Sequence, residues 1–265
     1  MAEHNHPIID EKLDQWDAGE RVLVGITTSF KDGSICEMAG RIGFDMVWID
    51  LEHGTAGFET VETLCAATVA GGGIPVGRIS GHHRHHILRT LETGARMVLV
   101  PMVNNADIAR EIIVHGKFPP LGRRGFNQSS RGLNFGLGDT LETFDWANRT
   151  THLIAQIETS EAVDNLDAIL EVDGLSGVFI GPGDLSVSLG CPAQFDHPRL
   201  RETIVTIVKR AREAGKHVGL LGPPPLLKTG LDAGADFIFC GGDLPTLRTS
   251  WIPLLERARK GFSDV

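Results

Sequence analysis

Apolar and polar positions along this chain alternate between two periods. Short apolar runs recur at 22–28 (VLVGITT), 46–52 (MVWIDLE), 75–80 (PVGRIS), 97–103 (MVLVPMV), 153–158 (LIAQIE), 177–181 (GVFIG), 217–222 (HVGLLG) and 237–242 (FIFCGG). Runs of this length and apolarity predict buried strands. Between most of them, apolar residues repeat at helical spacing, as in SICEMAGRIG, FETVETLCAATVAGG, HILRTLETG and PRLRETIVTIVKRAREAG. Many of these segments end in glycine, the residue that tolerates the left-handed turn closing a helix. About eight strands alternating with about eight helices predict an α/β chain folded as a (β/α)8 TIM barrel, one domain over 1–265 with a short polar arm and helix in roughly 1–20. An open doubly wound sheet would want about five or six strands and a glycine-rich first turn, which VLVGITTSFKDG does not supply. Three stretches exceed a bare barrel. They are a long Pro-, Gly- and Arg-containing loop at 117–138, a further helix at 139–149, and a Pro-rich loop at 190–198.

The pattern places chemistry at the strand ends. Residues 153–185 read as strand, helix, strand, with Ala162, Leu166, Ile169 and Leu170 on one helical face. Glu158 closes the first strand and Asp184 follows the second, after the break at Gly181-Pro182-Gly183. A crossover helix makes such strands parallel neighbours, so two hard oxygen ligands come close enough to invite a divalent cation. A turn residue and a helix cap would account for the same two carboxylates. In a (β/α)8 barrel the active site lies at the C-terminal strand ends. Those positions collect Thr27, Thr28, Glu52, His53, Arg78, Glu158, Asp184, Gly242 and Asp243. Arg78 can grip a carboxylate in bidentate fashion or stabilise an enolate oxygen, or it can simply pair with Glu52 or Asp50. His53 has the side-chain class for proton transfer near neutrality.

Composition narrows the function. The chain has 265 residues, 42% hydrophobic, and a net charge of −9 with no basic stripe, which argues against nucleic acid as a partner. No apolar run reaches the ~20 residues of a membrane span, and the start MAEHNHPIIDEKLDQW is too polar for a signal peptide. Cys36, Cys65, Cys191 and Cys240 form no CxxC pair and read as reduced thiols of a cytoplasmic protein. No lysine ends a strand-like run, so a Schiff-base mechanism lacks its nucleophile. Lys31 is the nearest, and a poor, candidate. A metal is the alternative for stabilising an enolate. No GxxxxGK[ST] or GxSxG occurs, and GPGDLS follows the sixth strand instead of the first. His82 and His86 in HHRHH stand four apart, a spacing that suits a transition metal or merely a solvated helix start.

The segments WIDLEHG, PVGRI, LETGARMVLVPMVNNADIAREI, FPPLGRRG, LIAQIET, VDNLDAI and GVFIGPGDLS together resemble the HpcH/HpaI aldolases, over roughly residues 20–260. Within that family the chain resembles the 4-hydroxy-2-oxoheptanedioate and 2-dehydro-3-deoxyglucarate aldolases. The resemblance implies a pyruvate-binding barrel that makes or breaks a C–C bond next to pyruvate. It further implies a divalent metal (Mg²⁺, Mn²⁺ or Co²⁺), an aldehyde as second product and a homohexamer built as a trimer of dimers. By position, Glu158 and Asp184 match the metal ligands, and Gln156 matches a substrate-contacting glutamine. Gly183 falls where a backbone N–H meets the pyruvate carboxylate, and Gly181 and Asp184 match further substrate-binding positions. Arg78 matches the enolate-steadying arginine and His53 the base. Glu92 falls where relatives carry an aspartate that tunes this histidine, one methylene shorter. A barrel strand of about six residues rises roughly 20 Å, so Glu92, predicted at the foot of its helix, would have to serve the His53 of a neighbouring subunit. The superfamily also contains CoA-ester lyases of the citrate lyase β and malyl-CoA type, and a barrel that only binds 2-oxo acids is a further alternative.

Overall fold

The computed structural model describes residues 6–262. A first helix, α1 (Pro7–Asp17), precedes β1 (Leu23–Thr28), α2 (Gly33–Ile42), β2 (Met46–Asp50), α3 (Phe58–Ala70), β3 (Ile74–Arg78), α4 (Arg84–Glu92), β4 (Met97–Val100) and α5 (Ala106–Gly116). A short 3₁₀ turn (Arg131–Gly136) lies in the long loop. The chain continues through α6 (Thr140–Thr150), β5 (His152–Ile157), α7 (Ser160–Asp164), α8 (Leu166–Leu170), β6 (Gly177–Ile180), α9 (Pro182–Ser188), α10 (Pro198–Glu213), β7 (His217–Leu221), α11 (Pro224–Ala233), β8 (Phe237–Gly242) and α12 (Asp243–Arg259). The eight strands pair in sequence order, all parallel, and β8 closes onto β1. Each apolar run of the sequence is one of these strands.

Side chains alternate across every strand, so residues two apart share a face. Met46 and Trp48 of β2, Ile74 and Val76 of β3, Met97 and Leu99 of β4, Ile154 of β5, Phe179 of β6, and Phe237 and Phe239 of β8 fill the inside of the barrel. The intervening residues, such as Val47 and Ile49, pack outward under the helices. Trp48 meets Phe179 and Phe239 edge to face, with centroids 5.1 and 4.9 Å apart, and this aromatic layer is the platform beneath the mouth.

Helix α1 is less polar than its sequence position suggests. Ile9, Leu13 and Trp16 are buried against the interior cluster. Trp16 donates its indole N–H to the Asp236 carbonyl at 3.1 Å and stacks on His217 at 3.7 Å. The helix therefore closes the barrel floor.

Two elements depart from expectation. The single helix predicted between the strands of 153–185 is two short helices meeting at Asn165, whose φ and ψ of −93° and 9° leave helical geometry while its side-chain amide donates to the Asn104 carbonyl at 2.9 Å. At the chain's other end, α12 contacts mainly the ends of β1 and β8. Its Leu244, Trp251, Ile252, Leu254 and Leu255 are exposed. Cys240, on the outward face of β8 that an eighth outer helix would cover, is exposed as well.

Candidate active site

Two-residue alternation carries the interior columns upward into the mouth. Met46 and Trp48 lead to Asp50, Ile74 and Val76 to Arg78, Ile154 to Gln156, and Phe179 to Gly181. Polar residues at the last inward position of a strand stand on a packed apolar column, which fixes them at the C-terminal face.

Arg78 is the best-braced of them. Its Nε donates to Asp50 Oδ1 at 3.0 Å and its Nη2 to Asp50 Oδ2 at 2.5 Å, while Nη1 pairs with Glu52 Oε2 at 3.1 Å. The guanidinium lies over the Trp48 ring, 4.9 Å from its centroid. The sequence left the choice between Asp50 and Glu52 open; the structure engages both. Burial would raise the Asp50 carboxyl, but the hydrogen bond and charge of Arg78 and the backbone amides of Glu52 and His53 outweigh it and hold it below the usual range. Glu52 goes the other way. Burial raises it, and the Asp50 and Asp184 charges add to that against the pull of Arg78 and His53.

Glu158 is buried at 2% exposure. Its Oε1 accepts the Met102 amide at 2.7 Å, and its Oε2 accepts a short hydrogen bond from Gln156 Nε2. Met102 adopts a left-handed φ of 55°, a strained conformation for a side-chain-bearing residue, and this turns its N–H onto the carboxylate. Desolvation raises the Glu158 carboxyl; the two hydrogen bonds oppose this, and the Glu52 and Asp184 charges reinforce it. Gly181 is needed for closeness: a Cβ there would come within 2.7 Å of Glu158 Oε2 and 3.1 Å of Gln156 Nε2. Asp184 lies in the first turn of α9, exposed with Gly183. It does not cap that helix, because Gly181 holds the cap position without a side-chain bond.

These donors fit a hard divalent cation. Glu158 and Asp184 make no ion pair among the described residues, and Gln156 Oε1 is a buried acceptor with no donor. No three His, Cys, Asp or Glu side chains among the described residues group as a metal cage. Two carboxylates and an open amide oxygen are a hard, all-oxygen set of the kind such a cation takes.

His53 sits in the loop after β2, its amide 3.3 Å from Asp50 Oδ1. It shares a cavity of about 450 Å³ with Asp50, Arg78, Thr27, Thr28, Lys31 and Thr55. Glu92 is elsewhere. It ends α4 and lines a separate groove with Glu59, Glu62, Arg89 and Arg131. The pair His82 and His86 does not share a helical face, because α4 starts only at Arg84. His82 Nε2 lies 3.4 Å from Glu111, and His86 Nδ1 lies 3.3 Å from the Ser80 hydroxyl.

Sequence reasoning missed the amide of Met102, for which no residue type signals, and the work of Asp243. The latter was visible only as an acid after the eighth strand. Its carboxylate accepts Thr28 Oγ1 and the amides of Ser29 and Phe30 at 2.8–3.0 Å.

A closed parallel barrel with oxygen donors and a braced guanidinium at its C-terminal mouth belongs to the barrel enzymes. The chain is a member of the HpcH/HpaI aldolase/citrate lyase family, whose model matches residues 28–248. It is 34% identical over 240 residues to the hydroxypyruvate/pyruvate aldolase of Roseobacter denitrificans, covering 90% of this chain and 93% of that protein. It is 36% identical over 222 residues to the 2-keto-3-deoxy-L-rhamnonate aldolase of Salmonella gallinarum, covering 83% and 82%. Among solved structures it resembles the HpcH/HpaI aldolase of Desulfitobacterium hafniense with a TM-score of 0.86 at 27% identity, over 95% of this chain and 96% of that one.

Proposed function

We propose that this chain is a divalent-metal-dependent aldolase, an aldehyde-lyase that reversibly cleaves 4-hydroxy-2-oxo acids to pyruvate, or an analogue such as hydroxypyruvate, and an aldehyde. The observation that carries it is the meeting, at one barrel mouth, of two carboxylates without basic partners and an arginine locked by two others. The names of the aldolases it resembles support the same reaction class.

Glu158 and Asp184 would hold the cation, which supplies Lewis-acid polarisation of the 2-oxo acid. Backbone N–H groups of Gly183 and Asp184, in the first turn of α9 beside Gly181, offer donors that orient the acid, while Gln156 Oε1, an acceptor, can take an O–H of substrate or water. Arg78, fixed by Asp50 and Glu52, directs its remaining N–H groups at the negative charge that develops on the keto oxygen as the C3–C4 bond breaks. His53 takes the proton from the C4 hydroxyl, whose carbon leaves as the aldehyde. C3 keeps the electron pair and takes a proton from solvent, while protonated His53 returns its proton to solvent, so the cleavage is proton-neutral overall.

Assembly enters the same reading. The bare apolar side of α12 and the uncovered face of β8 support a homo-oligomer, with a hexamer built as a trimer of dimers as its expected form. The separate groove around Glu92 supports its serving the His53 of a neighbouring subunit. Four free thiols, three of them buried, support a cytoplasmic setting. Among the described residues no helix is long and apolar enough to cross a membrane.

The test is pyruvate with a panel of aldehydes, with Mg²⁺, Mn²⁺ or Co²⁺. Metal-stimulated aldol formation is expected with at least one pair. No turnover with any pair, in either direction, would remove the assignment.

A further inference from the structure

Asp243 opens α12, yet its carboxylate serves a different segment. It is buried and accepts Thr28 Oγ1 at 2.8 Å, the Ser29 amide at 2.8 and 3.0 Å, the Phe30 amide at 3.0 Å and the Leu244 amide at 2.6 Å. Three amides and a hydroxyl fill the lone pairs of one carboxylate, so this acid is an anchor and not a spare ligand. The approach is close by construction: a Cβ on Gly242 would fall 2.3 Å from Thr27 Oγ1.

The anchored segment, Thr28 to Lys31, is one wall of the cavity that holds His53 and Arg78. Where it leaves the anchor, Lys31 Nζ donates to the Thr55 carbonyl at 2.7 Å, and Thr55 belongs to the loop that carries His53. A continuous set of contacts thus runs from Asp243 through residues 28–31 to that loop. Gln156 stands on β5, Glu158 just past it and Asp184 at the start of α9, and none of them shares a hydrogen bond with that set among the described residues.

We propose that Asp243 is a positioning residue for the acceptor half of the reaction. It sets the wall against which the aldehyde binds, and it makes no hydrogen bond to Gln156, Glu158, Asp184 or Arg78, the groups of the 2-oxo-acid half. This rests on the aldolase reading above. Replacing the acid by its amide turns one acceptor oxygen into an N–H₂ group facing N–H and O–H donors, so the wall must shift. A shift of about 1 Å near a reacting pair is worth up to 10²-fold in rate.

The experiment separates the halves in the full-length Asp243→Asn enzyme with Mg²⁺. Exchange of pyruvate methyl protons in D₂O, followed by NMR, reads the 2-oxo-acid half alone. Aldol addition reads both. The expected result is a rise of about tenfold or more in aldehyde KM, with the pyruvate exchange rate and pyruvate KM within about twofold of wild type. Amide exchange at residues 28–31 should rise in parallel. Lys31→Met, which cuts only the strap to Thr55, should raise aldehyde KM by a smaller factor. If Asp243→Asn does not fold, Thr28→Val removes one of the donors and should show the same split. The proposal is overturned if pyruvate exchange falls in proportion to aldol rate, or if residues 28–31 lose protection while aldehyde KM holds. A wild-type enzyme that neither exchanges pyruvate nor forms aldol overturns the parent reading instead.

Discussion

Replacing Arg78 by lysine keeps the charge and removes the fork, and the structure says how much that costs. A guanidinium has five N–H donors. Two are committed by hydrogen bond, Nε and one on Nη2 to Asp50, and Nη1 lies 3.1 Å from Glu52 Oε2 in an ion pair that draws one more toward that acid. Two remain for the substrate. An ammonium has three donors, and with Asp50 and Glu52 still beside it only one remains. One donor to the developing oxyanion is therefore lost. Losing a single such donor costs about 10²–10³ in kcat, equivalent to about 2.7–4 kcal/mol. We expect Arg78→Lys to lower kcat/KM by roughly 10²-fold or more, mostly in kcat. The assay is pyruvate release from an aldol substrate, coupled to lactate dehydrogenase and NADH, at saturating metal. Circular dichroism should show an intact barrel, because Trp48 and the aromatic layer below remain in place. A lysine variant within a few-fold of wild type would refute the reasoning and put Arg78 away from the reacting oxygen.

Three other outcomes are expected. EDTA should abolish aldol cleavage while Tm and circular dichroism change little, since Asp184 is exposed and the buried Glu158 is held without a cation by the Met102 amide and Gln156; full activity in chelator, or a borohydride-trapped lysine adduct with pyruvate, would sink the metal reading. His53→Ala and Glu92→Ala should each be impaired, and mixed oligomers should regain part of the activity; no recovery after subunit exchange proven by mass spectrometry ends the shared-site idea. His217 supplies the pH dependence of the floor. Burial would lower its pKa, but hydrogen bonds to Asp17 and Asp236, with their charges, outweigh this and raise it. A raised histidine contributes stability that is full below its unfolded value of about 6.5 and fades as pH climbs through the folded value. His217→Asn should therefore cost most near pH 6, about 2 kcal/mol for hydrogen bonds to a charged group, with the Tm gap to wild type narrowing by pH 9; a gap that widens would reverse the sign of the linkage.

The barrel was legible because its strands are buried on both faces and so nearly uninterrupted in apolar residues, with glycines closing helices such as α2 at Gly43, where φ is 115°. Arg78 and Glu158 were legible as residues at strand ends, and His53 and Asp184 as residues a few positions past them. What escaped depends on partners far apart in sequence or on backbone atoms. The break at Asn165 is set by a bond to Asn104, and the grip on Glu158 by the amide of Met102. The double clamp on Arg78 depends on Asp50 facing inward, which a one-residue error in strand phase would reverse. Asp243 acts 214 positions from Ser29, and spacing along the chain has no means of announcing that.

Helix α12 gives the melting behaviour an unusual variable. Its exposed Trp251, Ile252, Leu254 and Leu255 contribute nothing to an isolated chain and a great deal to one covered by a neighbour. In the assembly proposed here, part of the folding free energy is free energy of association, so it obeys mass action. Each tenfold dilution then withdraws about 1.4 kcal/mol per association step. Thermal stability measured at one protein concentration describes that solution rather than the molecule, and the transition should move to lower temperature as the sample is diluted.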